Sequence, residues 1–406
     1  IITNTPVSGA FRGWTSPEAT IMLEHNLDMA AKKLNMDPID LRLKNACTEG
    51  DVDNKIDTPL ENTQIIKALK EGRKIFCWDE KKSANSKQNG RYRRGVGVAC
   101  GGHVNGYFPR KQDFSTVILT VNEDGTLNAC LSIHDHGCGT VTCFKMMAAE
   151  TLGISMDDIL LSEADTAVTP FDMGCFSSRT TYVIGNGLLR ACENLMTAAI
   201  EAAAEIHSLP AEELTYTQGE IYHKDRKIST FKEIGRDCIL LLQKQLSAKG
   251  EYINKTNPGV HGVHFAEVEV DTYTGFVKIL DYLAVHDIGK AINKGMCIAQ
   301  IQGAVSMGVS AALLEQITFD RNGAVKASLK DYHTATCCDL PEIKVHLIEE
   351  PCKNGPFGAK SIGEVCFVPV SAAVISAVNN ALDSEICTIP MTPDFILAYL
   401  AEKEGK

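Results

Sequence analysis

Apolar positions along the chain switch repeatedly between a helical and a strand-like period. In 17–36, Leu23, Leu27, Ala31 and Leu34 recur at the spacing of one helical face, and Asp37-Pro38 then caps a second short helix. Residues 50–90 are polar and lysine-rich apart from a helical stretch around 65–75, so they read as a connection over the surface with a boundary near Gly90. From 94 to 133 the period becomes two. STVILTV and LNACLSI flank 122–126, whose Asp124-Gly125 predicts a hairpin turn. Gly137-Cys138-Gly139 opens a helix ending near Leu152, and a second helix, 184 to about 207, follows the glycine and hydroxyl cluster at 174–181. After a mixed, polar stretch at 215–252, HFAEVEV and KILDYLAVHD predict another hairpin around 271–275. Residues 296–315, apolar and rich in Gly and Ala, predict a closely packed interior helix, and 367–382 predict another with Pro369 in its first turn. The second half thus repeats the hairpin-then-helix plan of the first, with no short fixed period that would suggest a solenoid. The expected class is α+β (mixed αβ), hairpin sheets packed with helices. The expected division is 1–90 as a helical segment and linker, 91–255 as a first αβ domain and 256–406 as a second.

Composition narrows the classes. At 406 residues and 44% hydrophobic, the chain can bury more than one core. Forty basic against 51 acidic residues leave a net charge of −11, so neither nucleic acid nor an anionic membrane surface is an expected partner. No apolar run approaches a membrane span, and the opening IITNTPVSGAFRGW lacks the regions of a signal peptide, so a cytoplasmic location is expected. The 15 cysteines are scattered, mostly in apolar stretches such as IFCW and EVCF, which reads as reduced thiols. With no CxxC, and Cys337-Cys338 as the one adjacent pair, an iron-sulfur cluster belongs on another chain. A motif-like segment within a dozen residues of Ile1 suggests an upstream half, missing or separately encoded.

Three glycine-rich turns could carry chemistry: HDHGCGTVT at 134–142, GCFSSRTTYVIGNG at 174–187 and GPFGAKSIGEV at 355–365. Such turns at helix starts present unpaired backbone N–H groups to an anionic ligand. GPFGAKS is not a phosphate loop, because Ala359 precedes Lys360 where glycine is needed. Gly95-Val96-Gly97 is followed by Val-Ala-Cys, so no dinucleotide fingerprint is present. Glu364, between Gly363 and an apolar helix start, is a natural general base; an exposed capping glutamate is the plainer alternative. His134, Asp135 and His136 suggest metal ligands, but neighbouring residues on a strand face opposite ways, so a hydrogen-bonded structural role is expected.

Several segments together, GAFRGWTSPEA, GCGTVTCFKMMAAETLGI, EADTAVTPFDMGCFSSRTTYVIGNG, the run from EVEVDTYTG to GVSAALLE, and GPFGAKSIGEVCFVPVSAAVISAV, resemble in order and spacing the molybdenum hydroxylase (xanthine dehydrogenase/aldehyde oxidase) family. The resemblance covers nearly all the chain except 50–90 and 210–255, and it implies molybdopterin-binding domains forming the C-terminal part of the molybdopterin-binding subunit, as in split-subunit purine or nicotinate hydroxylases. It makes Glu364 the base that deprotonates a hydroxide on molybdenum, with hydride passing to a terminal sulfido or selenido ligand. Gln300 becomes a pterin ligand, Ser177, Ser178, Arg179 and Thr180 a cofactor-cradling turn, and Phe11 and Arg12 neighbours of the metal. Gly137, Cys138, Gly139, Thr140, Lys360, Ser361 and Gly363 complete the cofactor set, while Trp14 and Tyr107 or Phe108 would sandwich a flat substrate. No side chain would ligate molybdenum, which the pterin dithiolene holds. Cys138 stands where the family usually has a glutamine, and Gly13 occupies the loop that carries a copper-binding cysteine in carbon monoxide dehydrogenases, which disfavours that activity. The implied cofactor is molybdenum-molybdopterin, with or without a cytosine nucleotide, bearing Mo=S or Mo=Se. The implied partners are the N-terminal molybdopterin-binding half, a 2Fe-2S subunit and an FAD subunit, in a dimer of the multi-subunit unit. The implied reaction is hydroxylation of an electron-poor carbon of an N-heterocycle with water as oxygen source. Alternatives are an aldehyde oxidoreductase of the same family or a non-catalytic scaffold.

Overall fold

Two four-stranded sheets, each built from a hairpin, a helix and a returning parallel strand, organise the chain. The computed structural model describes residues 9–53, 58–85, 90–325, 328–403 and 405. The first eight residues, on which the reading of the leader partly rests, lie outside that set. In the first sheet Phe114–Val121 pairs antiparallel with Leu127–Cys130 through the predicted turn, where Asp124 accepts from the Thr126 N–H at 2.9 Å. The helix Thr140–Leu152 crosses over, and Ile159–Ser162 returns parallel to Leu127–Cys130. In the second sheet Val260–Asp271 and Val277–Asp287 form the hairpin, Lys294–Leu313 the helix and Ile343–Ile348 the parallel strand. The expected repetition of hairpin and helix is therefore the architecture itself. An added antiparallel strand completes each sheet, Ser247–Ile253 in the first and Tyr92–His103 in the second. Tyr92–His103 crosses the expected boundary: it falls within 91–255 yet pairs along its length with Val260–Asp271.

Period-two patterning puts apolar side chains on both faces of the second sheet. On one face Val96, Val98, Phe265 and Leu283 pack with Ile39, Leu69, Phe76 and Trp78. Segment 50–90 is thus more than a surface connection, since its helices Ile65–Ile75 and Trp78–Asn85 cover a core. The opposite face meets the helices Lys294–Leu313 and Val370–Leu382. Here Gly95, Gly97 and Gly101 leave a groove: a Cβ at Gly95 would lie 2.2 Å from the Ala377 carbonyl oxygen, and one at Gly97 2.3 Å from both Ala373 O and Ala377 N. The helix Val370–Leu382 therefore rests backbone to backbone on the strand Tyr92–His103. Gly250 does the same for the helix Gly185–His207, with a Cβ position 2.2 Å from Ala191 N.

Two expectations need correction. Lys294–Leu313 is long and apolar enough to cross a membrane by length and composition, where no run of that kind is expected from the sequence. In the fold it packs on Val370–Leu382, where Ser371 donates to the Gly308 carbonyl at 2.9 Å. The mixed stretch 215–252 holds a three-stranded sheet, Leu214–Thr217, Glu220–His223 and Arg226–Thr230, and the helix Phe231–Leu242.

Candidate active site

A cleft of about 550 Å³ is walled by turns and helical residues outside both sheets. Its walls come from all three glycine-rich turns, through Cys138 and Thr140, Cys175, Phe176 and Ser178 to Thr181, and Ala359 to Glu364, with Phe11 and Arg12, and Gln300 from the helix Lys294–Leu313; Ser177, expected in the cradling turn, does not line it. The turns do not act alike. At 134–142 Asp135 Oδ1 accepts from the N–H groups of Gly137 (2.8 Å) and Gly139 (3.1 Å), so its own carboxylate occupies the anion position expected for a ligand. Burial raises the Asp135 pKa, but these amides outweigh it and leave it lowered. At 174–187 Ser177 and Ser178 take positive φ, 52° and 49°, which turns the Ser178 hydroxyl toward Glu364.

Glu364 lies in a turn ahead of the helix Val370–Leu382 rather than at its first residue. Its Oε1 accepts from the Gly13 N–H at 3.2 Å. Its Oε2 accepts from Ser178 Oγ at 3.0 Å and meets His103 Nε2 at 2.9 Å. Burial pushes the Glu364 pKa up, but His103, Ser178 and the Gly13 amide together bring it below the usual carboxylate value. The result is an ionised carboxylate at the cleft wall with 21% of its side chain exposed. That is a group poised to accept a proton.

The chain matches the molybdopterin cofactor-binding domain over residues 71–341, and a second model of that description over 1–46. The chain belongs to the molybdenum hydroxylase family. It is 35% identical over 399 residues to a putative xanthine dehydrogenase molybdenum-binding subunit of Escherichia coli, covering 96% of this chain and 53% of that one. It is 27% identical to the aldehyde oxidoreductase of Megalodesulfovibrio gigas, covering 98% of this chain and 42% of that one. In fold it resembles quinoline 2-oxidoreductase of Pseudomonas putida 86, with a TM-score of 0.87 at 22% identity over 97% of this chain and 53% of that one. The chain therefore spans about half the length of the curated relatives it matches.

A molybdopterin cofactor-binding member needs polar groups left free in the cleft. Ser361 provides one: its hydroxyl is buried, lines the cleft and has no hydrogen-bond partner among the described residues. Asn105, which accepts from the Ser361 N–H at 2.8 Å, holds that residue from behind and does not itself line the cleft. Arg12 is fixed from three sides. Its Nε donates to the Gly363 carbonyl at 2.6 Å, and its terminal nitrogen donates to Gln300 Oε1 at 3.1 Å and Cys366 Sγ at 2.9 Å. Gln300 Nε2 reaches back to the Gly137 carbonyl at 3.4 Å, which joins two turns across the cleft. These features fit the molybdopterin cofactor that the family model describes.

The other expected site residues differ in how they meet the cleft. Arg179 is fully buried and spends its guanidinium on Asp113 (2.9 Å), Asp172 and the Phe114 carbonyl, so it builds the turn from behind. The Lys360 ammonium pairs with Asp287 at 2.7 Å and donates to the Asn62 carbonyl, so its charge is turned inward. Trp14 has φ 50° and is 60% exposed, and it does not line the cleft. Tyr107 stacks edge-on against Phe176 at 4.8 Å, and of that pair only Phe176 lines the cleft; Phe108 does not line it either. Phe11 does, 5.3 Å from Phe367 in an edge contact. Cys138 Sγ lies 2.8 Å from Thr140 Oγ1.

His134, Asp135 and His136 divide their roles. Residues 131–136 are not paired as a strand, so facing does not alternate as expected. The two imidazoles approach with centroids 4.4 Å apart, and their ligand atoms and Cys175 Sγ all lie within 4.8 Å of one another. Asp135 holds the expected hydrogen-bonded structural role. His103, Ser16, Phe176 and Cys175 are the site residues that sequence reasoning missed. Motif matching could have reached Phe176 and Cys175 inside GCFSSRT, but nothing marks His103.

Proposed function

We propose that this chain is the C-terminal part of the molybdenum-binding subunit of a multi-subunit hydroxylase, acting on an electron-poor carbon of an N-heterocycle with Glu364 as general base. The observation that carries the reading is the Glu364 carboxylate, kept ionised by Gly13, Ser178 and His103 on the wall of a cleft lined by all three turns. When bound, molybdenum-molybdopterin supplies the two-electron oxidant and makes a water-derived O–H acidic enough for a carboxylate to take its proton. The protein's own work is then local. Glu364 Oε1, with a single 3.2 Å amide contact, is the oxygen that accepts the proton, while Oε2 is tied to the fold. Ser361 and Gln300 supply polar groups to the cofactor, and Arg12 fixes the Gly363-Glu364 backbone from the other side.

Phe11 and Phe176 place two aromatic rings on the cleft wall, which favours a flat heterocycle over an aliphatic aldehyde. Xanthine, hypoxanthine and nicotinate are the substrates to try first. Iron-sulfur and FAD partners, an N-terminal half on another chain or in a longer one, the nucleotide form of the pterin, the sulfido or selenido ligand and a cytoplasmic location belong to the same reading. The test is metal analysis of the purified native complex with turnover of these three compounds, repeated on Glu364→Gln. Removing a general base should lower kcat about 10²- to 10⁴-fold while molybdenum stays bound. An intact complex without molybdenum, or a Glu364→Gln enzyme turning over normally, overturns the reading and favours a scaffold.

A further inference from the structure

Glu364 is held by a residue that no part of the family motif contains. His103 ends the strand Tyr92–His103 with 10% of its side chain exposed, and its two ring nitrogens are both engaged. Nε2 lies 2.9 Å from Glu364 Oε2, and Nδ1 lies 3.3 Å from Ser16 Oγ. Ser16 opens the helix Ser16–Leu34, so the chain Ser16–His103–Glu364 joins three separate elements.

We infer that His103 is the positioning residue of Glu364: it ties Oε2 in place with Ser178 and leaves Oε1 as the basic atom. Ser16 sets its tautomer. With its O–H donating to Nδ1, the neutral imidazole must carry its hydrogen on Nε2, aimed at the carboxylate; when the ring is cationic the same hydroxyl turns and accepts. Either way both contacts persist. The inference rests on Glu364 being the general base.

The surroundings leave Glu364 as the responsive group. Arg12 donates from Nε to the carbonyl of Gly363, next to Glu364. Burial pushes the Cys366 thiol up to about 11 and raises that of Cys175, so both are neutral at physiological pH. His261, packed beside Gly102, is pushed down to about 4 by burial and is neutral as well.

The experiment uses the molybdenum-loaded complex, comparing wild type with His103→Leu, His103→Gln, Ser16→Ala and Glu364→Gln. Rates are followed from about pH 3 to 8, across the ordinary carboxylate range, with molybdenum content measured on each. A donor to the ionised form holds the Glu364 pKa down, so deleting it must move the acidic limb of kcat/KM upward. His103→Leu should move that limb up by about one pH unit and lower kcat about 10- to 100-fold with KM nearly unchanged. His103→Gln, whose amide can still donate, should recover most of kcat. A purely structural histidine would change stability or molybdenum content and leave the limb in place. Should His103→Leu lose molybdenum, Ser16→Ala carries the test, with an upward limb shift expected. A wild-type limb in the molybdenum-loaded variants overturns the inference. If Glu364→Gln is inactive while that limb stays put, only the role of His103 falls; if Glu364→Gln is active, the base assignment itself falls.

Discussion

Replacing Gly97 with alanine places a methyl group where the helix Val370–Leu382 already has its backbone. The new Cβ would sit 2.3 Å from Ala373 O and Ala377 N. An unstrained carbon-to-oxygen approach needs about 3.3 Å, so helix and strand must separate by about 1 Å. Overpacking of this kind costs about 1–3 kcal/mol, and because the obstacle is backbone rather than a flexible side chain, the upper end is expected. Activity should suffer as well. The strand carries His103 at its end and the helix follows the Glu364 turn, so parting them by this distance moves the two side chains relative to each other. A displacement of about 1 Å in a catalytic group can cost about 10²-fold in rate. The assay is urea denaturation and steady-state kinetics of the assembled enzyme, with Gly303→Ala as the comparison. Gly303 lies in the helix Lys294–Leu313 and a Cβ there meets nothing within 4 Å, so alanine should be neutral or stabilise by about 0.5–1 kcal/mol. Wild-type stability and turnover in Gly97→Ala would refute the argument that this groove sets the site.

Two further perturbations read other parts of the fold. Lys360→Met strands the buried Asp287 carboxylate, whose pKa burial already raises against the pull of Lys360, and should destabilise by about 3–5 kcal/mol in urea titration; a loss under about 1 kcal/mol would show the ion pair to be dispensable. Burial lowers His261 to about 4 and His286 to about 3, and drives His264 well down too. These rings are neutral in the fold and gain protons more readily when it opens, near the usual 6.5. Stability should therefore be level above that pH and fall as pH drops toward the folded values, by up to about 1.4 kcal/mol per pH unit for each histidine. His261→Gln should make the fall measurably shallower in acid titrations of the unfolding midpoint, and an unchanged slope would contradict the assignment.

What the sequence disclosed depended on how local each signal was. The two hairpins and the helices Thr140–Leu152, Gly185–His207 and Val370–Leu382 follow from period and turn chemistry, which a few neighbouring residues settle. The sheet within 214–230 was illegible because its strands have four or five residues and little alternation. The helix after it did carry a readable mark, since Thr230 and Glu233 form a capping box. Trp14 is expected over a substrate because it falls where the resembled family places an aromatic; in the fold it has a positive φ and stands exposed, outside the lining of the cleft. Glu364 was conspicuous within its own segment, whereas His103 reaches it from 261 positions away, through a strand register that only the folded sheet defines.

Asp135 has a consequence for how such a cleft is filled. Because its carboxylate already satisfies the amides of Gly137 and Gly139, that wall needs no bound anion to hold its shape. The entropy of ordering the turn is met during folding, so a large cofactor entering later finds a prepared berth and loses little affinity to rearranging it. For this turn, the shape that meets a ligand is thus a product of folding and not of binding.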